Sequence, residues 1–155
     1  MTFEDRFTVK APIDTVWAFL RDPHQVAPCI PGAEKIEVVD DTHYRVVAGA
    51  RVSFLTLAFS MNVTVTEMDP PRRLVSTAEG SDARLKERVR LASELTLEPI
   101  GAAETAVSYK IDLTVFGKLA SLGFSVIKGK ARQMAEDFAT DIRGRLEAGP
   151  QGGRS

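Results

Sequence analysis

The residue types that most often carry out catalysis are few in this chain. Its two histidines, His24 and His43, and its single cysteine, Cys29, have no partner in a recognisable motif. An enzyme needs an acid, a base or a nucleophile held within reach of a partner group. Histidines and cysteines at the spacing of a zinc site are also missing. The sequence therefore favours a protein that is not an enzyme and holds no metal.

Two segments approach catalytic or nucleotide-binding motifs without matching them. The segment from Gly123 to Ile127 lacks the second glycine of a nucleophile elbow, and the segment from Gly123 to Lys130 has one residue too many for a P-loop. Both lie in a segment of helical periodicity, whereas each motif needs a turn between a strand and a helix. We therefore reject both.

The isolated residues that could do chemistry have simpler structural interpretations. Trp17 is expected to pack in the core, and Cys29, flanked by prolines, is expected to be a small buried apolar group. His24 at a proline-led turn is expected to be exposed. His43 lies close to Asp40 in sequence, which predicts a charge contact at the surface.

Length and charge exclude several classes of protein. The chain has 155 residues, of which 44% are hydrophobic, so residues 1–147 are predicted to form a single globular domain. A net charge of -1 argues against nucleic-acid binding. The acidic start is unlike a signal peptide, and no stretch reaches the roughly 20 apolar residues of a membrane span. We expect a cytoplasmic location, with contact at the inner face of the membrane left open.

Alternating apolar residues predict seven strands with short connections, which favours an antiparallel meander. The predicted strands are marked by Phe3, Phe7 and Val9; Ile36 and Val38; Tyr44, Val46 and Ala48; the odd positions from Leu55 to Val65; the segment Leu74 to Glu79; Val89, Leu91, Leu95 and Leu97; and Val107, Tyr109, Ile111, Leu113 and Val115.

Helical spacing follows the first and the last of these strands. Residues 16–20 and 24–30 predict two short helices, and Lys118 to Leu146 predicts one long amphipathic helix. Residues 148–155 are glycine-rich and predict a flexible tail. The order predicts an α+β helix-grip fold, in which a seven-stranded antiparallel sheet wraps around a long C-terminal helix. Such a sheet leaves a cavity beside the helix.

Three segments carry a resemblance to a known family. They are Val9 to Pro23, which contains Pro12, Val16 and Trp17; the Cys-Ile-Pro-Gly-Ala-Glu segment at 29–34; and the Asp-Pro-Pro-Arg-Arg-Leu segment at 69–74. Together they resemble the CoxG family of carbon monoxide dehydrogenase subunits. This family belongs to the SRPBCC superfamily, with START lipid-transfer domains, the birch-pollen allergen and polyketide cyclases. The likeness extends over residues 1 to about 147.

The resemblance implies a non-catalytic accessory protein of a molybdenum hydroxylase of the carbon monoxide dehydrogenase type. Such a protein binds a hydrophobic ligand, with a respiratory quinone or another lipid-like molecule expected, and links the enzyme to the membrane. Many family members carry a membrane-binding C-terminal segment, which is not present before Ser155. Transient membrane contact is therefore expected in place of a permanent anchor.

The predicted cavity lies between the long helix and the inner face of the sheet. Methionine and phenylalanine provide adaptable apolar walls, and the inward hydroxyls of Ser76, Ser93 and Tyr109 need water or a ligand carbonyl as partner. The predicted lining is Ile30, Leu57, Phe59, Met61, Ser76, Leu91, Ser93, Tyr109, Leu113, Leu119, Leu122, Gly123, Val126, Ile127, Met134 and Phe138.

Glycines and cations mark the start of the long helix. Gly117, Gly123 and Gly129 predict either close packing on the sheet or a loosened helix start that admits a ligand. We predict a mouth between residues 28–32 and 117–123. Lys118, Lys128, Lys130 and Arg132 would suit anionic lipid head groups or form a solvated face.

Two other functions remain open at this point. A polyketide cyclase-like enzyme would need Tyr109, Asp5 or a histidine in the cavity as acid or base. A purely structural adaptor would have a filled core. A generic carrier of hydrophobic ligands, without a partner enzyme, is a variant of the ligand-binding hypothesis.

Overall fold

The computed structural model describes residues 1–82, 84 and 87–152. A 3-10 turn, Ala27–Cys29, follows the second helix. The elements in chain order are β1 (Thr2–Val9), α1 (Ile13–Arg21), α2 (Pro23–Val26), β2 (Ala33–Asp40), β3 (His43–Val52), β4 (Leu55–Asp69), β5 (Arg73–Asp82), β6 (Glu87–Gly101), β7 (Glu104–Phe116), α3 (Lys118–Ser121) and α4 (Phe124–Gly152).

The seven strands form one antiparallel sheet in the order β1-β7-β6-β5-β4-β3-β2. Strands β2 to β7 are neighbours in sequence and in space, because short turns join them, and β1 closes the row by pairing with β7. The helix-grip prediction is confirmed, including the two short helices after the first strand. The β3–β4 turn and α3 lie at one end of the sheet, the α3 end. The opposite end, with the β6–β7 turn, is the α1 end.

The long C-terminal helix is interrupted near its start. The prediction of one helix from Lys118 is wrong at this point, because Leu122 and Gly123 separate α3 from α4. Gly123 has a φ of 97° and Gly117 a φ of 75°, both in the left-handed region that favours glycine. The four-residue helix α3 is therefore bounded by a glycine on each side, Gly117 before its start and Gly123 after its end.

A buried carboxylate from a distant strand fixes α3. Glu87, at the start of β6, is 1% exposed and accepts hydrogen bonds from the backbone N–H of Lys118 at 3.0 Å and of Leu119 at 2.8 Å. These N–H groups have no partner within a helix that begins here. A side chain at Gly117 would meet the same carboxylate. Close packing thus explains Gly117, whereas a Cβ at Gly123 or Gly129 would meet open space.

Helix α4 continues past Leu146 to Gly152, and residues 153–155 lie outside the described part of the chain. The tail predicted over 148–155 falls partly on those residues and stays a prediction.

The buried apolar residues form two separate clusters. The first cluster, at the α1 end, joins β1, α1, the strands at their β6–β7 turn and the C-terminal half of α4: Phe7, Val9, Ala11, Val16, Trp17, Phe19, Leu20, Cys29, Leu97, Val107, Ile142 and Leu146. The second cluster, at the α3 end, joins the β3–β4 hairpin to α3: Val52, Leu55, Leu57, Phe59 and Leu119, with Met61, Val89, Val115 and Leu122 packed against them.

Candidate ligand-binding cleft

A strip of the inner sheet face between the two clusters is not completely covered by protein. Two register rows cross it, and their residues belong to neither cluster. Seven of the eight are partly exposed to solvent and Ala78 is buried. The rows are Val63, Ala78, Leu91 and Leu113, and then Val65, Ser76, Ser93 and Ile111. An apolar floor that stays accessible between two packed cores is the geometry of a ligand cleft.

Helix α4 forms the opposite wall of this cleft. Its close backbone approaches are to β1, β3, α1 and α3 and to the turn at 27–29, and it stands farther from the central strands among the described residues. Between Ile127 and Phe138 the helix presents Ala131, Met134 and Ala135, all half-buried. Alanine is small and methionine is flexible, so these side chains can adapt to a ligand above the floor.

The serine hydroxyls of the floor pair with each other. Ser76 and Ser93 face one another across β5 and β6, and their oxygens are 2.8 Å apart. We predicted that water or a ligand would be the hydrogen-bond partner of each serine. For one of the two hydroxyl hydrogens the partner is instead the other serine. The second hydrogen of the pair has no acceptor among the described residues.

Tyr109 lies at the edge of the cleft beside two acids. Asp5 is directly opposite it on β1, on the inner face. Burial raises the pKa of the Tyr109 phenol, and the charges of Asp5 and Glu136 raise it further. The phenol therefore keeps its proton at neutral pH and is a hydrogen-bond donor, and no described residue accepts from it.

The predicted lining residues fall into three groups in the structure. Leu57, Phe59, Met61, Leu119 and Leu122 pack in or on the second cluster, while Tyr109 and Phe138 pack on the first. Ser76, Leu91, Ser93 and Leu113 lie in the two floor rows, with Met134 on the wall. The remaining positions are Ile127, buried; Ile30, half-buried; and Gly123 and Val126, both exposed.

The sequence analysis missed part of the cleft. Val63, Val65 and Ile111 belong to the floor rows, as the same alternation that selected Leu113 could have indicated. The predicted mouth stays a prediction. Cys29 packs in the first cluster with Ile142, whereas Gly32 accepts a hydrogen bond from the Gly49 amide of β3 at 2.8 Å. The two ends of the 28–32 segment therefore lie against different parts of the fold.

The isolated residues behave as predicted. Trp17 is 7% exposed in the first cluster, and Cys29 is fully buried there, where burial raises the pKa of its thiol. His24 is exposed. His43 contacts Asp40 at 2.9 Å on the surface, and hydrogen bonds from the Thr42 amide and the His43 ring hold the pKa of Asp40 below its ordinary value.

Two further recesses lie on the outer face of the sheet, away from α4. Polar and charged side chains of β2, β3 and β4 surround them, including Lys35, Glu37, Arg45, Asn62 and His43. Val46, Val47 and Met61 also line the first recess, and Val39 and Val63 the second.

The seven-stranded sheet and the long helix α4 define a helix-grip protein. The partly covered apolar strip between them is a candidate cleft for a hydrophobic ligand. The family model for CoxG, a subunit of carbon monoxide dehydrogenase, matches residues 6–147. The chain therefore belongs to the CoxG family. Among curated proteins no match to the chain was found.

Solved structures share the fold at low sequence identity. A conserved protein from Geobacillus kaustophilus has a TM-score of 0.86 at 22% identity, with 94% of this chain and 95% of that chain covered. A START superfamily protein from Mycobacterium smegmatis has a TM-score of 0.73 at 13% identity, covering 94% and 97%. The Zhui aromatase/cyclase from Streptomyces sp. R1128 has a TM-score of 0.72 at 17% identity, covering 96% and 94%. These likenesses concern the fold.

Proposed function

We propose that the protein carries a hydrophobic ligand, with a respiratory quinone as the best-fitting class, in the cleft between α4 and the inner sheet face. The observation that carries this proposal is the partly covered apolar strip between the two core clusters. A purely structural adaptor would bury that strip completely. A quinone has a flat apolar ring and chain, which suit the leucines of the floor and Met134 on the wall.

We further propose that the α3 end contacts the membrane transiently. Phe54 in the β3–β4 turn is 77% exposed, and at the start of α4 Phe124 is 58% and Val126 42% exposed. Exposed aromatic side chains at one end of a protein suit insertion among lipid head groups. No helix in the described part of the chain combines the length and the hydropathy that a membrane span requires.

The charges around these side chains favour an anionic membrane surface. Residues 113–135 contain Lys118, Lys128, Lys130 and Arg132 and no acidic residue. The Lys128 ammonium lies 5.4 Å from the centre of the Phe124 ring, so cation and aromatic ring are presented together. Each such cation near an anionic surface contributes about 1 kcal/mol.

The family membership supports a partner enzyme. The CoxG name associates the family with carbon monoxide dehydrogenase. We therefore propose a molybdenum hydroxylase as the enzyme that exchanges electrons with the bound ligand. In this arrangement the protein itself does no chemistry, and the ligand exchanges electrons with the enzyme.

Ligand binding is tested with protein purified from its own host, by native mass spectrometry and lipid extraction, followed by quinone titration of the emptied protein. Leu91→Trp places bulk in the floor and should weaken quinone binding tenfold or more, which corresponds to about 1.4 kcal/mol. Ala92→Trp introduces the same side chain on the exposed outer face and is the control. Equal quinone affinity in the two variants would reject the cleft.

Membrane contact is tested by sedimentation with vesicles that contain 30 mol% phosphatidylserine, a composition we choose to give an anionic surface. Phe54→Ala combined with Phe124→Ala should reduce the bound fraction severalfold. Ile100→Ala removes a 49% exposed apolar side chain at the α1 end and should leave the bound fraction unchanged. An equal loss in both variants, or no loss in either, would contradict the proposed orientation.

A cyclase-like enzyme is the second candidate. The protonated Tyr109 phenol beside Asp5 favours it, because such a donor at a cleft edge can polarise a carbonyl group. Conversion of a poly-β-keto thioester by the wild type, lost in Tyr109→Phe, would establish this function. Absence of conversion would leave the carrier.

A further inference from the structure

The floor of the cleft is apolar except at its centre. Ser76 and Ser93 lie side by side there, and the neighbours in the same register row are Val65 on β4 and Ile111 on β7. Each serine thus has an apolar side chain on its far side. Polar groups in such a setting fix the orientation of a ligand more than they add to its burial.

The two hydroxyl groups carry two hydrogens, and one of them lies between the two oxygens. Whichever serine donates this bond, the other serine keeps a hydrogen that no described residue accepts. Both residues are half-buried, so this hydrogen can reach a molecule in the cleft. A hydroxyl hydrogen bonds to an acceptor oxygen, and leaving it without one in an apolar ligand site is unfavourable.

The charges near the serines disfavour an anionic acceptor. Asp5 pairs with Tyr109 in the adjacent register row, and Glu136 acts on the same phenol from α4. Both acids are exposed to solvent, so water screens their charges and they repel a ligand carboxylate at the serines only weakly. An uncharged acceptor avoids that repulsion.

We propose that Ser76 and Ser93 bind the uncharged carbonyl oxygen of an otherwise apolar ligand and so fix the depth and orientation of that ligand in the cleft. This assignment rests on the proposed function, because it requires the cleft to take a hydrophobic molecule. It selects carbonyl-bearing apolar molecules, such as a quinone ring, over plain hydrocarbons and over fatty-acid anions.

Three probes with similar chains test the assignment: a decyl-substituted benzoquinone labelled with carbon-13 at its carbonyl groups, decylbenzene, and dodecanoate. Affinities are measured for the wild type, for Ser76→Ala combined with Ser93→Ala, and for Ser60→Ala. Ser60 is exposed on the outer face of β4 and provides the control. The infrared carbonyl band of the bound quinone reports hydrogen bonding directly.

The double variant should bind the quinone roughly three- to tenfold more weakly, as expected for one neutral hydrogen bond, and decylbenzene as the wild type does. Its carbonyl band should move toward the position in an apolar solvent, while Ser60→Ala should change neither. Dodecanoate should bind the wild type more weakly than the quinone. These results together support the assignment.

Several results would overturn it. An unchanged quinone affinity and band position in the double variant would reject the serines alone, and the carrier function would stand. Tighter binding of dodecanoate than of the quinone would do the same. If the wild type binds neither the quinone nor decylbenzene, the carrier function fails and the serine assignment fails with it. If the double variant does not fold, the wild type alone gives the test. A carbonyl band of the bound quinone at the position found in an apolar solvent would then reject the serine assignment.

Discussion

The α1 end and the α3 end of the sheet are packed in different ways. At the α1 end, Val9, Val16, Val107 and Ile142 are completely buried, and they come from four different elements. At the α3 end, the second cluster is smaller, and Leu119 contributes to it from a four-residue helix. The first cluster joins distant parts of the chain, whereas the second depends on one short segment.

The difference indicates where a ligand can enter. Exchange of a bulky molecule requires part of the structure to move away, and segments with few buried contacts open at the lowest free energy. Helix α3 has a glycine with positive φ at each side and is fixed by a single carboxylate, Glu87. We therefore propose an entrance at α3, next to the exposed Phe54 and Phe124, and expect the α1 end to be the rigid part.

The largest expected effect is in the first cluster. Ile142→Ala should lower the free energy of unfolding by about 3–4 kcal/mol, because a completely buried side chain leaves a cavity that elements on all sides prevent from closing. Leu119→Ala should cost only about 2 kcal/mol, because α3 can shift to fill part of the space. Urea unfolding measures both. A larger loss for Leu119→Ala would reverse the assignment of rigid and mobile ends.

The carboxylate that fixes α3 should have the next largest effect. Glu87→Ala removes the side chain that accepts two backbone hydrogen bonds and should cost about 2–3 kcal/mol. Hydrogen exchange of the amides from Lys118 to Leu122 should accelerate more than exchange at Val107. Glu87→Gln keeps one acceptor oxygen and should cost less. Uniform acceleration throughout the protein would show that Glu87 supports the whole fold and does not specifically restrain α3.

Two glycines of the same region should respond in opposite directions. Gly123→Ala should destabilise the protein by about 1 kcal/mol, because its φ of 97° is unfavourable for alanine. Gly129→Ala, within α4 and with open space at the Cβ position, should stabilise it by about 1 kcal/mol. Thermal unfolding compares them. Equal signs would indicate that Gly123 does not interrupt the helix in solution.

Much of the fold could be predicted from the sequence because strand alternation and helical spacing are local signals. The strands around Val89 and Val107 have regular alternation, and the period changes at Gly117. The interruption at Gly123 was missed, since a glycine inside an apolar periodic segment is compatible with a continuous helix. The role of Glu87 was not predictable, because it depends on a contact between residues that are 31 positions apart.

The cleft was predictable in kind and less so in detail. Alternation identifies which side chains face inward, and it correctly placed Ser76, Ser93 and Leu113 on that face. It does not show which inward residues the helix covers, so Leu57 and Phe59, which are core residues, were selected together with the floor. The pairing of Ser76 with Ser93 depends on strand register, which the composition of the β5–β6 turn did not define.

The smallest expected effect concerns Tyr109, at the border between the first cluster and the cleft. Burial, and then the charges of Asp5 and Glu136, raise the pKa of this phenol above its ordinary value of 10.0. Because the folded-state pKa is raised, the protonated phenol makes its full contribution to folding stability below the unfolded-state pKa near 10. That contribution is lost as the pH rises through the folded-state pKa. The other tyrosine, Tyr44, also has a raised pKa because of burial, so Tyr44→Phe is the background for the measurement.

In that background, absorbance at 295 nm follows the ionisation of Tyr109 alone. Asp5→Asn should lower the Tyr109 pKa, and Glu136→Gln should lower it by less, because Asp5 makes the larger charge contribution. Neither change should bring it to 10.0, since burial is the largest cause. If Asp5→Asn alone restores the ordinary value, the phenol is well solvated. The border of the first cluster would then be as open as the cleft. The accessible strip would in that case extend past Tyr109, and the rigid α1 end would begin closer to the β6–β7 turn.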